Sequence, residues 1–133
     1  MNISFFPKPK IDVSYLLDNC PVRQAMDDML KSGFTAIPVI NPKGKYVGTI
    51  TEGDFLRLLL RYSPEQLDKM TVGQVERRVR HRSVNIDARM EDMVDLVEAQ
   101  NFVPVTDGRG MFCGIITRSD VINQLRITCQ KNR

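Results

Sequence analysis

The chain has 133 residues, 42% hydrophobic and 26% charged, and nineteen Lys and Arg against sixteen Asp and Glu leave a net charge of +3. That length lets one ordinary core bury about two thirds of the unfolded surface, and the composition excludes disordered, collagenous and disulfide-framework proteins. Cys20, Cys113 and Cys129 are odd in number and far apart, and His81 is the only histidine, so no structural zinc pattern can be drawn.

In chain order, Lys8 and Lys10 precede any long apolar stretch, and the longest uncharged run, 32–42, contains two prolines and cannot span a bilayer. This reads as a soluble cytoplasmic protein with reduced thiols. Val22, Ala25, Met26, Met29 and Leu30 recur at helical spacing and stop at Gly33, which predicts an amphipathic helix with a left-handed cap. Residues 36–40 predict a short strand, Asn41-Pro42-Lys43-Gly44 a turn, and 46–50 a second strand closing a hairpin. A second helix is expected from Thr51 through Phe55, Leu56 and Leu59 towards Tyr62. The polar stretch 63–82 follows, with helix starts at Ser63-Pro64 and Met70-Thr71. Then the series recurs: a helix over 90–97, a strand over 102–105, the turn Asp107-Gly108-Arg109-Gly110, a strand over 112–116 and a helix over 121–125.

The recurrence is an internal repeat. At an offset of 66, Pro38, Val39, Gly44, Gly48, Ile50, Thr51, Asp54 and Leu59 meet Pro104, Val105, Gly110, Gly114, Ile116, Thr117, Asp120 and Leu125. Those eight identities fall within 22 positions, where ordinary usage gives about one or two. Upstream the offset is 68, pairing Val22, Ala25 and Met29 with Met90, Met93 and Val97, so the second copy lacks two residues between its first helix and the next strand. The expected fold class is therefore α/β (α+β): two βαββα repeats, 8–62 and 83–128, joined by a linker over 63–82. A unit of about 50 residues buries too little apolar surface alone, so the copies are expected to pack with pseudo-twofold symmetry and a ligand groove between them.

Each repeat carries a glycine, a Thr three residues on and an Asp three beyond that: Gly48, Thr51 and Asp54, then Gly114, Thr117 and Asp120. Behind the strands Thr35-Ala36-Ile37-Pro38-Val39 and Phe102-Val103-Pro104-Val105, this pattern resembles a tandem cystathionine-β-synthase (CBS) domain pair, a regulatory module that binds adenosyl ligands. The similarity runs from about residue 11 to 125 and is greatest to short stand-alone CBS proteins of Gram-positive bacteria, some of which bind cyclic di-AMP. It implies a bacterial ligand sensor and a homodimer that binds AMP, ADP, ATP or cyclic di-AMP and signals to an unidentified partner protein. No catalytic residue, metal or required cofactor is implied, and neither are a membrane or an attached enzyme, channel or transporter domain.

Physical chemistry supports the same residues. A helix starting at Thr51 or Thr117 offers unpaired N–H groups and a positive dipole end to a phosphate, and Asp54 or Asp120 on the same turn offers acceptors to ribose hydroxyls. The alternative is a capping box; because that box favours Glu or Gln and both copies have Asp, the ribose reading is preferred. Pro38 and Pro104 predict an edge strand or bulge with unpaired backbone beside it, suited to an adenine edge with Ile37 or Val103 as an apolar wall, unless those side chains are simply core. Adenylate-sensing members commonly have Arg or His where this chain has Thr35-Ala36 and Asn101-Phe102, whereas the 35–38 stretch and Arg118 resemble cyclic di-AMP binders. Phe102 is expected either to stack on a base or to be a core aromatic.

Arg77, Arg78, Arg80, His81 and Arg82 form the one dense charge run. It reads as a solvated face or, through His81 and Arg82, as the replacement for the missing phosphate contacts, with Lys8 and Lys10 as its counterpart in the first copy. Together with Arg118 it predicts the stronger site in the second copy. Nucleic-acid binding is disfavoured because no aromatics interleave the run. An enzyme is not expected: a Cys–His pair would join His81 to Cys20 or Cys113 with no third orienting residue, and Cys113 reads as a small core hydrophobe. Leu56, Leu59, Leu60, Ile122 and Leu125 offer a dimer surface unless the intramolecular core takes them. The competing function is a ligand-free interaction or assembly module on the same fold.

Overall fold

The computed structural model describes residues 8–9, 13–77 and 80–131. Two units divide them, one spanning 14–80 and the other 81 onward together with the N-terminal segment. That segment supplies strand β1 (Lys8–Pro9), so the leading piece of the first repeat belongs to the second unit.

In the first unit the order is β2 (Leu16–Leu17), α1 (Val22–Ser32), β3 (Ala36–Ile40), β4 (Tyr46–Thr51), α2 (Glu52–Arg61) and a one-turn α3 (Pro64–Leu67). The sheet runs β2-β3-β4, parallel then antiparallel. Helix α1 buries Val22, Ala25 and Met29, one stripe at helical spacing, and ends at Gly33 with φ 74, the left-handed cap that a glycine adopts without a Cβ penalty. The 63–82 stretch is more than a connection. Ser63 caps α3, a 3₁₀ turn follows at Val72–Gln74, and Leu67, Val72 and Val75 join the core. Backbone bonds from Val22 to Met70 (3.0 Å), Val72 to Cys20 (2.9 Å) and Gly73 to Asp18 (2.8 Å) stitch it to the segment entering α1.

The second unit repeats the order with β5 (Val84–Asn85), a 3₁₀ turn (Met90–Asp92) leading into α4 (Met93–Ala99), β6 (Phe102–Thr106), β7 (Phe112–Thr117) and α5 (Arg118–Lys131). Its sheet order is β1-β7-β6-β5. Both hairpins share one register, Val39↔Gly48 against Val105↔Gly114, with a bulge one residue later in each. Their turns match as well: the Oδ1 of Asn41 accepts from the backbone N–H groups of Lys43 and Lys45, and the Oδ1 of Asp107 from those of Arg109 and Met111. Gly44 and Gly110 adopt φ 88 and 79. Each unit has its own core, built on Val39 and Ile50 in the first and on Val105 and Ile116 in the second.

Of the two expectations for the prolines, the bulge holds and the edge strand does not. β3 and β6 are central strands, not edges. The partners β2 and β5 are only two residues long and pair with Val39–Ile40 and Val105–Thr106. Pro38 and Pro104 therefore precede the bulge where, among the described residues, no strand pairs on that side, and the missing N–H breaks no ladder there.

The two-residue deletion also has a structural consequence. α4 has no left-handed glycine after it; its cap, Gln100, is extended at φ −136 and ψ 149. Arg118 takes over the end of α4, donating from Nε to the Val97 carbonyl, from Nη2 to the Glu98 carbonyl at 3.2 Å and from Nη1 to Asn101 Oδ1 at 3.2 Å. A cation on the last carbonyls suits the negative end of a helix.

Candidate functional site

Hairpin register sets the site. β3 begins with Ala36 opposite Thr51, and β6 with Phe102 opposite Thr117, so each strand start lies beside the first turn of the helix that leaves its hairpin. In the first unit the Thr35 carbonyl accepts from the Glu52 N–H at 3.0 Å. The structure thus brings Thr35, Ala36, Thr51 and Asp54 together in one unit and Phe102, Thr117, Arg118 and Asp120 in the other.

Both Thr–Asp pairs are reciprocal caps. The Thr51 N–H donates to Asp54 Oδ2 at 2.9 Å, and the Asp54 N–H donates to Thr51 Oγ1 at 3.2 Å. Thr117 and Asp120 repeat the bonds at 2.9 and 3.2 Å. The capping box, held as the alternative reading, is formed: an extended Thr51 at φ −115 and ψ 163 brings its own N–H within reach of the short Asp54 side chain. Capping uses one lone pair of Oδ2, and Oδ1 lies outside the box, so the cap orients the carboxylate without exhausting it.

The surroundings of the two carboxylates differ. Asp54 is 2% exposed, accepts from Arg57 Nη2, and lines a cavity of about 440 Å³ with Arg57, Arg61, Tyr62, Gln74 and Glu76. Asp120 is half-buried, and its counterpart of Arg57 is Asn123. In the first motif, a Cβ on Gly48 would collide with the guanidinium of Arg77, which packs against that glycine. Burial pushes the nearby Tyr46 phenol above its usual value, opposed by its bond to Thr49 at 2.7 Å and by the charge of Arg77.

Other expected residues are placed differently. Ile37 and Val103 lie in the cores of their units, 2% and 0% exposed. Strand alternation turns them inward with Val39 and Val105, which selects the core alternative over the apolar wall for a base. Pro38 and Pro104 are buried. Phe102, also buried, stacks on His81 with ring centroids 6.1 Å apart. The guanidinium of Arg118 is engaged at the end of α4, as described above. Arg77 sits on Gly48 in the first unit and Arg82 belongs to the second; Lys10 and Arg78 lie outside the described residues.

Sequence reasoning missed the residue that ties Arg82 there. Gln100, 8% exposed, accepts from the Arg82 N–H at 2.9 Å and donates to the carbonyls of Arg82 and Phe102 at 2.9 and 3.0 Å. One buried amide thereby holds Arg82 against the start of β6, beside the His81–Phe102 stack. The only hint in the sequence is a polar residue in the shortened helix-to-strand turn. Among the described residues no acidic, His and Cys cluster could hold a metal, and no helix is long and apolar enough to cross a membrane.

No curated protein matches the sequence. Similar solved structures include Listeria monocytogenes CbpB in complex with c-di-AMP (23% identity, TM-score 0.82, 98% of each chain covered). A hypothetical conserved protein of Geobacillus kaustophilus is 28% identical, with a TM-score of 0.83 over 96% of this chain and 98% of that one. CBSX2, known from Arabidopsis thaliana, in complex with AMP is 23% identical, with a TM-score of 0.75 over 99% and 98%. The CBS-domain profile matches twice, over residues 9–61 and 72–127, each match ending in a hairpin followed by a Thr–Asp capped helix, and the chain therefore belongs to the CBS-domain family as a tandem pair.

Proposed function

We propose that the chain is a regulatory module that binds an adenine nucleotide at its Thr–Asp helix starts and passes occupancy to a partner protein. The observation that carries this reading is the doubled cap. In both units a helix N-terminus, a hydroxyl and an oriented carboxylate sit beside the start of a buried strand, matching the phosphate and ribose chemistry of a nucleotide. Similar folds bind c-di-AMP in CbpB and AMP in CBSX2, which makes these two the first ligands to test. The function is binding, with no catalytic step.

A thermal-shift panel of AMP, ADP, ATP, S-adenosylmethionine, cyclic di-AMP and NADH identifies the ligand by the rise in midpoint. Calorimetry on Asp120→Ala then separates two roles. A ribose partner lost costs about 1.5 to 3 kcal/mol of binding, tenfold or more in affinity. A cap lost costs about 1 kcal/mol of stability and leaves affinity unchanged. No midpoint shift with any member of the panel would favour the assembly module instead.

One observation supports self-association within the same reading. Leu56, Leu59, Leu60, Ile122 and Leu125 are all exposed, at 42–78%, so the intramolecular core does not take them. Leu56 and Leu59 border an apolar groove of about 520 Å³ between α1 and α2, lined also by Met26, Met29, Phe34 and Phe55. A homodimer through these helices covers that surface.

A further inference from the structure

The motif carboxylates have unequal surroundings, and Arg57 contributes to the difference. In the first unit Asp54 and Arg57 form an ion pair one turn along α2, their side chains 3% and 30% exposed. This pair engages Oδ1, the oxygen that the cap does not use. In the second unit the position repeating Arg57 is Asn123, whose Oδ1 accepts from Arg126 Nη2 at 3.4 Å, away from the motif. Among the described residues Asp120 has no side-chain partner beyond Thr117.

We propose that Arg57 is a latch on Asp54, making the second repeat the higher-affinity nucleotide site and the first a site that opens only when Arg57 moves. The inference rests on the ribose role proposed above. A hydroxyl approaching Oδ1 of Asp54 competes with a guanidinium donor already bound there, at a carboxylate only 3% exposed, and it brings no charge to match that of the guanidinium. The exchange takes place at a nearly buried carboxylate, where solvent screening is small. Arg57 and Arg61 both line the same cavity, and Arg61 lies 3.8 Å from Glu76. At Asp120 no such exchange is required. The sequence suggests the same ranking through Arg118 and the 77–82 run, but the structure bases it on Arg57, because Arg118 is engaged on α4.

AMP carries one ribose and therefore counts sites. Calorimetric titration of the full chain with AMP is expected to give one equivalent bound tenfold or more tightly than the second. Arg57→Asn, which installs the residue of the second repeat, is expected to bring the two affinities within about threefold. Asn123→Arg, at an exposed position, is expected to weaken the tight site by tenfold or more and provides a test independent of any folding defect in the first variant. Two equal sites in the wild type, or affinities unmoved by both substitutions, overturn the latch. Absence of AMP binding in all three proteins also overturns it, and the nucleotide panel then shows separately whether the underlying reading falls too.

Discussion

Replacing Arg118 tests the claim that a side chain, rather than a glycine, ends α4. Arg118→Ala removes one donor from the Val97 carbonyl, one from the Glu98 carbonyl and one from Asn101 Oδ1. A net hydrogen bond contributes about 0.5 to 1.5 kcal/mol, and a cation at a helix C-terminus about 0.3 to 1 kcal/mol. Arg118 is exposed, so water recovers part of each bond, and the expected loss is about 1 to 2 kcal/mol. In thermal unfolding followed by circular dichroism this is a fall of several degrees. Hydrogen exchange at Gln100, whose N–H bonds to the Leu96 carbonyl at 2.9 Å, is expected to quicken. Glu52 is the control: it occupies the same repeat position, but Gly33 already closes α1, so Glu52→Ala is expected to stay within about 0.5 kcal/mol. If Arg118→Ala costs no more than Glu52→Ala, the capping role is refuted, and a selective loss of nucleotide affinity would return the guanidinium to the ligand.

Two further outcomes are expected. Sedimentation of the wild type at micromolar concentration is expected to show a dimer, and Leu56→Glu with Leu59→Glu a monomer; a monomeric wild type would refute the helix interface. Tyr46 gives a pH signature: burial raises its folded pKa above the usual 10, so its neutral form stabilises the fold below that pH, and the contribution is lost as pH rises through the unfolded and then the folded value. Thermal midpoints of wild type are therefore expected to fall more steeply than those of Tyr46→Phe between about pH 9 and 11, and parallel curves would sink the assignment.

Much of the fold was legible because it is governed by neighbours in sequence. A Thr followed three residues later by Asp, a glycine after a helical stripe, and an Asn or Asp opening a tight turn each act over one turn of chain; the first and the last recur in both copies, and the glycine cap is confined to the first. The identities at an offset of 66 foretold a shared hairpin register, since a one-residue slip would turn every inward side chain outward. The same locality left the capping box as the second reading, because the reach of Asp was judged from a general preference rather than from the extended backbone at Thr51.

The sequence by itself determined the doubled hairpin-and-helix unit, its caps and its motif. The tertiary structure decided what each motif touches. Nothing local foretells that residues 70–73 pair with the entry to α1, that Gln100 reaches back to Arg82, or that Arg118 covers the end of α4. These bonds join segments about 18 to 55 residues apart, and any side chain with suitable donors can make them once folding brings the segments together. Arg57 and Asn123 look like ordinary surface variation between two copies. Only the folded helix, which turns Arg57 onto the buried Asp54 and Asn123 towards Arg126, makes them different.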